Sequence, residues 1–447
     1  MWTSEQVLAL APDANSAKNG RSLASLAKWP LIGRSEQVVW GECRGSGKNP
    51  YRTQIDLMEP AFRCSCPSRK FPCKHALGLF LLLAEQADAI QSSTPPDWVT
   101  EWLEKRSQTA QRKETKAAAK ASQVADPEAQ AKRARQRAAK IEAGLADLEQ
   151  WLQDIVRQGL ATLPNQPYRF WDQAAARLVD AQAPGLARRV RSLASIPYSG
   201  KDWPERMLRA LGKLHLLVQG YRQLEALAPA MQAEVLSQIG WPQTQEDLKL
   251  RAEQGDPLVL QAKDIWQVMG KVTYEEDNLK VQRSWLRGHQ SQRSALVLNF
   301  AHGTQPLDVS LVPGTGFAGE LIFYPGTGVQ RAFVASREAA TLQIDGQIMA
   351  ATIEESIRDY AQALGQNPWL GSYPLMLSPV RPTYQEERWW LQDTADQVLP
   401  LATRFQHPWE LLAISGGHPL KVFGEWDGET LRPLSVLTET QFLAMEG

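Results

Sequence analysis

Arg63-Cys64-Ser65-Cys66-Pro67-Ser68-Arg69-Lys70-Phe71-Pro72-Cys73-Lys74-His75 is the stretch on which the reading of this chain turns. Its Cys-x-Cys…Cys-x-His pattern offers three sulfurs and one ring nitrogen, the donors that Zn²⁺ takes. Four protein ligands close a structural site and leave no open position for chemistry. On a strand, Cys64 and Cys66 lie two apart and face the same way, while Pro67 and Pro72 bracket a tight return that brings Cys73 opposite them. Three thiolates and a neutral imidazole leave the ion with a net charge near minus one, and donors must neutralise it. Arg63, Arg69, Lys70 and Lys74 are the basic residues close enough in sequence to do so.

After His75 comes an apolar run, Ala76-Leu-Gly-Leu-Phe-Leu-Leu-Leu-Ala84, which reads as a helix. The expected unit is therefore a strand pair plus a helix, with one structural Zn²⁺ joining the hairpin to the helix start. Strands are expected at Val38–Cys43 and Tyr51–Leu57, preceded by short helices over Thr3–Leu10 and Asn15–Ala27. Cys43 lies on the first of these strands and reads as a buried free thiol, not a ligand. Gly45-Ser-Gly-Lys48 fails as a phosphate loop, because Glu42 stands where the first glycine belongs and Asn49 follows the lysine. A hairpin turn is the better reading there.

Together with Trp40-Gly-Glu-Cys-Arg-Gly-Ser-Gly-Lys-Asn-Pro-Tyr-Arg-Thr-Gln-Ile-Asp56, the Cys-x-Cys…Cys-x-His block and its small apolar helix resemble the SWIM zinc finger of bacterial proteins of about this length. The specific likeness runs over residues 38–85. It implies a zinc-binding module that binds protein or DNA, with Cys64, Cys66, Cys73 and His75 as ligands. It also implies a protein partner, with an AAA+ type ATPase system as the class.

The 447 residues balance 49 Lys and Arg against 49 Asp and Glu, and 43% are apolar, enough for several cores. All four cysteines fall between positions 43 and 73. Thiols kept only where they are used fit a reducing compartment, so a cytoplasmic location is expected. No secretory signal is expected from the first residues, and the longest apolar run is far too short to span a bilayer. Charge is uneven, however: residues 105–140 hold 11 basic against 3 acidic side chains, among alanines and few large apolar residues. That stretch reads as a basic flexible linker, helical near Glu128–Lys140 with Pro127 at the helix start.

Helical periodicity follows. Met207, Leu211, Leu214, Val218 and Tyr221 recur at steps of three and four, and helices are also expected over 145–160, 170–181, 186–194 and 230–239. His215, beside that face, reads as a hydrogen-bonded core residue. From about Lys263 the pattern becomes that of strands, at 266–274, 279–287, 294–301, 320–324 and 330–334, with glycine-rich turns between them. A helix over 352–364 precedes strands at 410–415, 420–426 and 430–436. The expected organisation is α+β and multidomain. A small ββα-type zinc finger with flanking elements occupies 1–95, the basic linker 96–140, a helical domain 141–255 and a mostly antiparallel β region 256–447.

No catalytic constellation emerges. His289, His302, His407 and His418 are isolated beside turn residues, and the finger cysteines are committed to metal. The chain is read as a non-enzyme. Two functions from different classes remain: an adaptor that holds protein partners, and a DNA- or RNA-binding protein using the finger's basic residues and the linker. Residues 1–95 carry 11 basic and 8 acidic side chains, too weak a balance for a dedicated nucleic-acid domain, and this places the adaptor first. Trp389-Trp390 reads either as a buried helix-packing pair, the first choice, or as a contact site for protein.

Overall fold

The computed structural model describes residues 2–44, 49–58, 60–122, 127–276, 279–303, 305, 307–328, 331–337, 342–344, 348–438 and 441–445. The turn expected at Gly45–Lys48 lies outside them. At the front, α1 (Ser4–Leu8) and α2 (Ala14–Arg21) precede an antiparallel meander of β1 (Leu31–Arg34), β2 (Val38–Cys43), β3 (Tyr51–Asp56) and β4 (Ala61–Cys64). The helix α3 (Lys74–Gln86) follows the metal-binding loop. Alternation along the strands divides their side chains between two cores. Val39, Cys43 and Ile55 join α3, whose Leu77, Leu79, Phe80, Leu81 and Leu82 are fully buried. Val38 and Trp40 face the other way. Cys43 is buried in the first core and stands outside the metal-binding group, as its sequence reading required.

What covers Val38 and Trp40 corrects the expectation of a flexible linker over 96–140. Residues 97–122 form α4 (Asp97–Ser122), and its first turns lay Val99 and Trp102 on that face of the sheet. Arg106 of the same helix reaches Asp56 at 3.4 Å. Basic composition hid a segment whose first turns carry apolar anchors and whose alanines favour helix. Pro127 does start a helix, but α5 (Pro127–Gln158) runs straight through position 140 into the bundle. Its Arg137 donates to the carbonyl of Gln182 at 2.9 Å and lies over Trp241.

The bundle packs α5 against α6 (Tyr168–Asp180), α7 (Pro184–Ser192), α8 (Trp203–Arg222) and α9 (Pro229–Ile239), with α10 (Gln245–Glu253) leading out. Ile141, Leu145, Leu148, Leu152 and Ile155 of α5 meet Met207, Leu211, Leu214 and Val218 of α8 in one core. His215 corrects another expectation. It is exposed, because it falls on the turn of α8 between the buried Leu214 and Leu217 that points away from the bundle.

Beyond residue 260, β5 (Gln261–Glu276), β6 (Leu279–Gly288) and β7 (Ser294–His302) form a meander. β8 (Thr315–Phe323) returns beside β5, and β9 (Arg331–Arg337) pairs in parallel with β7 and antiparallel with β8. The circuit β5-β6-β7-β9-β8 closes on itself as a five-stranded barrel. It is filled by Trp266, Val268, Leu286, Val297, Phe317, Leu321 and Phe323. The short β10 (Leu342–Gln343) adds to its edge, and α11 (Ile353–Gln366) follows, opened by the capping box of Thr352 and Glu355.

The second six-stranded sheet contains β11 (Tyr373–Gln385), β12 (Arg388–Asp393), β13 (Val398–Pro400), β14 (Leu420–Trp426), β15 (Leu431–Leu437) and β16 (Phe442–Ala444), with α12 (Pro408–Ser415) between β13 and β14. Residues 410–415, expected as a strand, are that helix. Pro408 starts it and Gly416, at φ 54°, stops it, bracketing an apolar run too short for its period to show. The barrel and this sheet are in contact through Met269, Val272 and Trp285 on one side and Met376, Phe423 and Leu434 on the other.

Candidate metal centre

Each of the four ligands reaches the centre by a different device. Cys64 is the last residue of β4 and pairs in register with Thr53 of β3. The chain is held in place beyond it by paired bonds of 2.9 Å, from the Ser65 amide to the Arg52 carbonyl and from the Arg52 amide to the Ser65 hydroxyl. Cys66 sits in the loop after the strand, so the two cysteines share a site without sharing a strand. Cys73 is the N-cap of α3, and His75, buried in the first turn, lies against the ring of Tyr51 at 4.8 Å.

The donor atoms of Cys64, Cys66, Cys73 and His75 all lie within 4.8 Å of one another. Cys64 Sγ and His75 Nδ1 are 3.8 Å apart. Zinc–sulfur bonds of about 2.3 Å in a tetrahedron require donor separations of roughly 3.8 Å, so the residues fit the ion. Protons are unevenly shared in the cluster. The Cys73 thiol is drawn down to about 4, chiefly by the hydrogen bond from Cys64 and also by His75 and the Ala76 amide. Cys64 is pushed up by that same bond and by burial, and Cys66 is pushed up by burial. Since Zn²⁺ needs thiolates, binding displaces protons from these sulfurs.

Neutralisation of the sulfurs uses a residue that the sequence reading missed. Thr53 Oγ1 lies 3.2 Å from Cys64 Sγ, placed there by the β3–β4 register. The amides of Cys66 and Ser68 act on Cys64 and Cys66. Only a predicted hairpin register would have pointed to Thr53 from the sequence. Arg63, Arg69, Lys70 and Lys74 are all exposed, and Lys70 pairs with Asp13 at 2.6 Å.

Residues 51–84 match the family model of the SWIM zinc finger. The chain carries a SWIM-type finger. Residues 136–239 match the SWIM-associated four-helix bundle domain, which corresponds to most of α5 through α9. No curated protein and no solved structure matches the chain. The SWIM match covers β3, β4, the ligand loop and α3, so one Zn²⁺ is the ion that these four side chains suit. Among the described residues, no helix is long and apolar enough to cross a membrane.

Proposed function

We propose that this chain is a non-catalytic adaptor, in which zinc fixes the SWIM finger for recognition of a protein partner. The observation that carries the reading is the closed site. Four protein donors within 4.8 Å of one another, with Cys73 and His75 buried, would suffice to close a tetrahedral Zn²⁺, which supports a structural role for the ion. A second feature fits protein recognition: Tyr384, Trp389 and Trp409 cluster with ring separations of 5.0 and 4.9 Å, and Trp409 is 67% exposed. Exposed tyrosine and tryptophan anchors are what protein interfaces use most. Trp389 belongs to the pair that the sequence singled out, and its ring joins partners far away in sequence. The partner class implied by the SWIM resemblance is an AAA+ type ATPase, and the cytoplasm is the compartment that would keep three thiols available for metal.

Affinity capture from the native host, after nuclease digestion, tests the reading with the full chain beside its Cys73→Ala and Trp409→Ser variants. The expected result is a protein partner of ATPase class retained by the wild type and lost on removal of the zinc ligand. Retention unchanged in both variants, or retention abolished by nuclease, overturns it.

A further inference from the structure

The barrel offers a second surface, made of residues other than those of the finger and independent of the adaptor reading. The strands β5, β6, β7, β8 and β9 are ordered first-second-third-fifth-fourth around a closed barrel, with the third and fifth parallel. This is the connectivity of the OB barrel. Barrels of that kind bind oligomeric ligands on the face of the second and third strands, between the first and the last hairpin loops. Here that face is the outer surface of β6 and β7. The last hairpin loop leaves β8 at Tyr324, whose amide donates to the Arg331 carbonyl of β9 at 2.8 Å.

That face is not a bare surface. It forms one wall of a cavity of about 610 Å³ whose opposite wall is α7 and α9 of the bundle. Five arginines and two glutamates line it. Both carboxylates are engaged, Glu276 with Arg188 at 3.4 Å and Glu234 with Gln238 at 2.6 Å and the Thr327 amide at 3.2 Å. Arg189 donates to the Gln238 side chain and the Trp369 carbonyl, and the Glu234 carboxylate lies close enough to act on its charge. Burial presses its guanidinium below its ordinary value. Arg331 lies over Tyr324 at 4.3 Å and Phe300 at 5.9 Å, and among the described residues it has no carboxylate within ion-pairing distance. The register Tyr274–Val281–Phe300 sets two aromatic side chains in one row across three strands, and Phe300 is 48% exposed.

Four of the five arginines already face carboxylates, Arg188 with Glu276, Arg191 with Asp172, Arg283 with Glu425 and Arg189 beside Glu234, which leaves Arg331, stacked on Tyr324 and Phe300, as the cation for a phosphate and the exposed Phe300 ring for a base. We propose that the cleft between the bundle and the β6–β7 face of the barrel binds single-stranded nucleic acid, admitting its nucleotides to Phe300, Tyr324 and Arg331. The volume falls within the roughly 300–1,000 Å³ of ligand pockets, which suits a nucleotide or two of a strand and not a duplex.

The test is fluorescence anisotropy of the full-length zinc-loaded chain with a labelled oligothymidylate at low salt, with hydrogen exchange confirming that the variants fold. Phe300→Ala and Arg331→Ala, both at exposed side chains, are each expected to weaken binding by about fivefold or more. Arg69→Ala/Lys74→Ala in the finger should leave it unchanged. Unlabelled thymidine monophosphate should compete, and better than inorganic phosphate. The proposal is overturned by absence of binding at low salt, by loss confined to the finger variant, by variants in the cleft that bind as wild type, or by displacement with a neutral oligosaccharide.

Discussion

At the scale of single residues, the metal centre depends on groups that differ in what their loss would do. Cys73→Ala removes a ligand, and zinc content should fall from about one ion per chain to about none, measured by elemental analysis. The helix α3 should survive, because Leu77, Leu79, Phe80 and Leu81 are fully buried in a core that also includes Val39, Ile55 and Val312. Hydrogen exchange should therefore quicken over residues 63–75 and stay unchanged after residue 141. Thr53→Val keeps every ligand but deletes the hydroxyl beside Cys64 Sγ. Competition with a chelator should show zinc bound roughly 10–100-fold more weakly, the size of effect seen when such supporting groups are lost. Asp13 links the ligand loop to α2: it accepts from Lys70 at 2.6 Å and caps the helix through the Ser16 amide at 2.7 Å. The bond from Lys70, then that from Ser16, holds its carboxyl at about 2. A carboxyl lowered on folding stabilises the fold above its ordinary value of 3.8, and that contribution disappears as pH falls through about 2. A carboxyl titration by nuclear magnetic resonance should find the low midpoint, and Lys70→Ala should raise it towards the ordinary value.

Among the elements, the β11–β12 hairpin carries a local conflict. Gln385 pairs with Arg388, so Glu386 and Glu387 form a two-residue turn, and their φ values of 50° and 58° place both in the left-handed region. Such turns favour asparagine followed by glycine, since each ordinary side chain held left-handed costs about 1 kcal/mol or more. Relieving the second position is the simplest test: Glu387→Gly should stabilise the hairpin by about 1 kcal/mol, read as slower amide exchange along β11 and β12. Unchanged or faster exchange would show that the two glutamates are held by something other than their own backbone. The same hairpin carries Tyr384 and Trp389, so its order bears on the aromatic cluster with Trp409.

Over the whole molecule, the modules are joined by close backbone approach as well as by apolar burial. Gly270 on β5 is the clearest instance: a Cβ there would stand 2.6 Å from Leu434 Cβ of β15, and the Ser435 hydroxyl donates to the neighbouring Met269 carbonyl at 2.7 Å. Gly270→Ala should force barrel and sheet apart at a cost of about 1–3 kcal/mol, lowering the urea midpoint of the β region while zinc content stays the same. The front module is tied in as well, through a 3.0 Å bond from the Gln6 side chain to the Gly314 carbonyl at the start of β8.

The sequence by itself determined what is local. The spacing of Cys64, Cys66, Cys73 and His75 named the ion, and three- and four-residue steps placed α8, because ligand type and helical period are short-range properties. It could not reveal β11, whose Pro374, Pro379 and Pro382 argue against a strand. In the structure β11 lies in the interior of its sheet, with a register shift between Leu377 and Val380. Nor could it disclose Thr53 beside Cys64, the anchoring of α4 by Trp102, or the rings gathered around Trp409. Those depend on strand register and on which faces meet, and both are settled by packing between residues distant in the chain. The barrel was decided the same way: its strands were legible one by one, but its closure rests on β9 bridging β7 and β8.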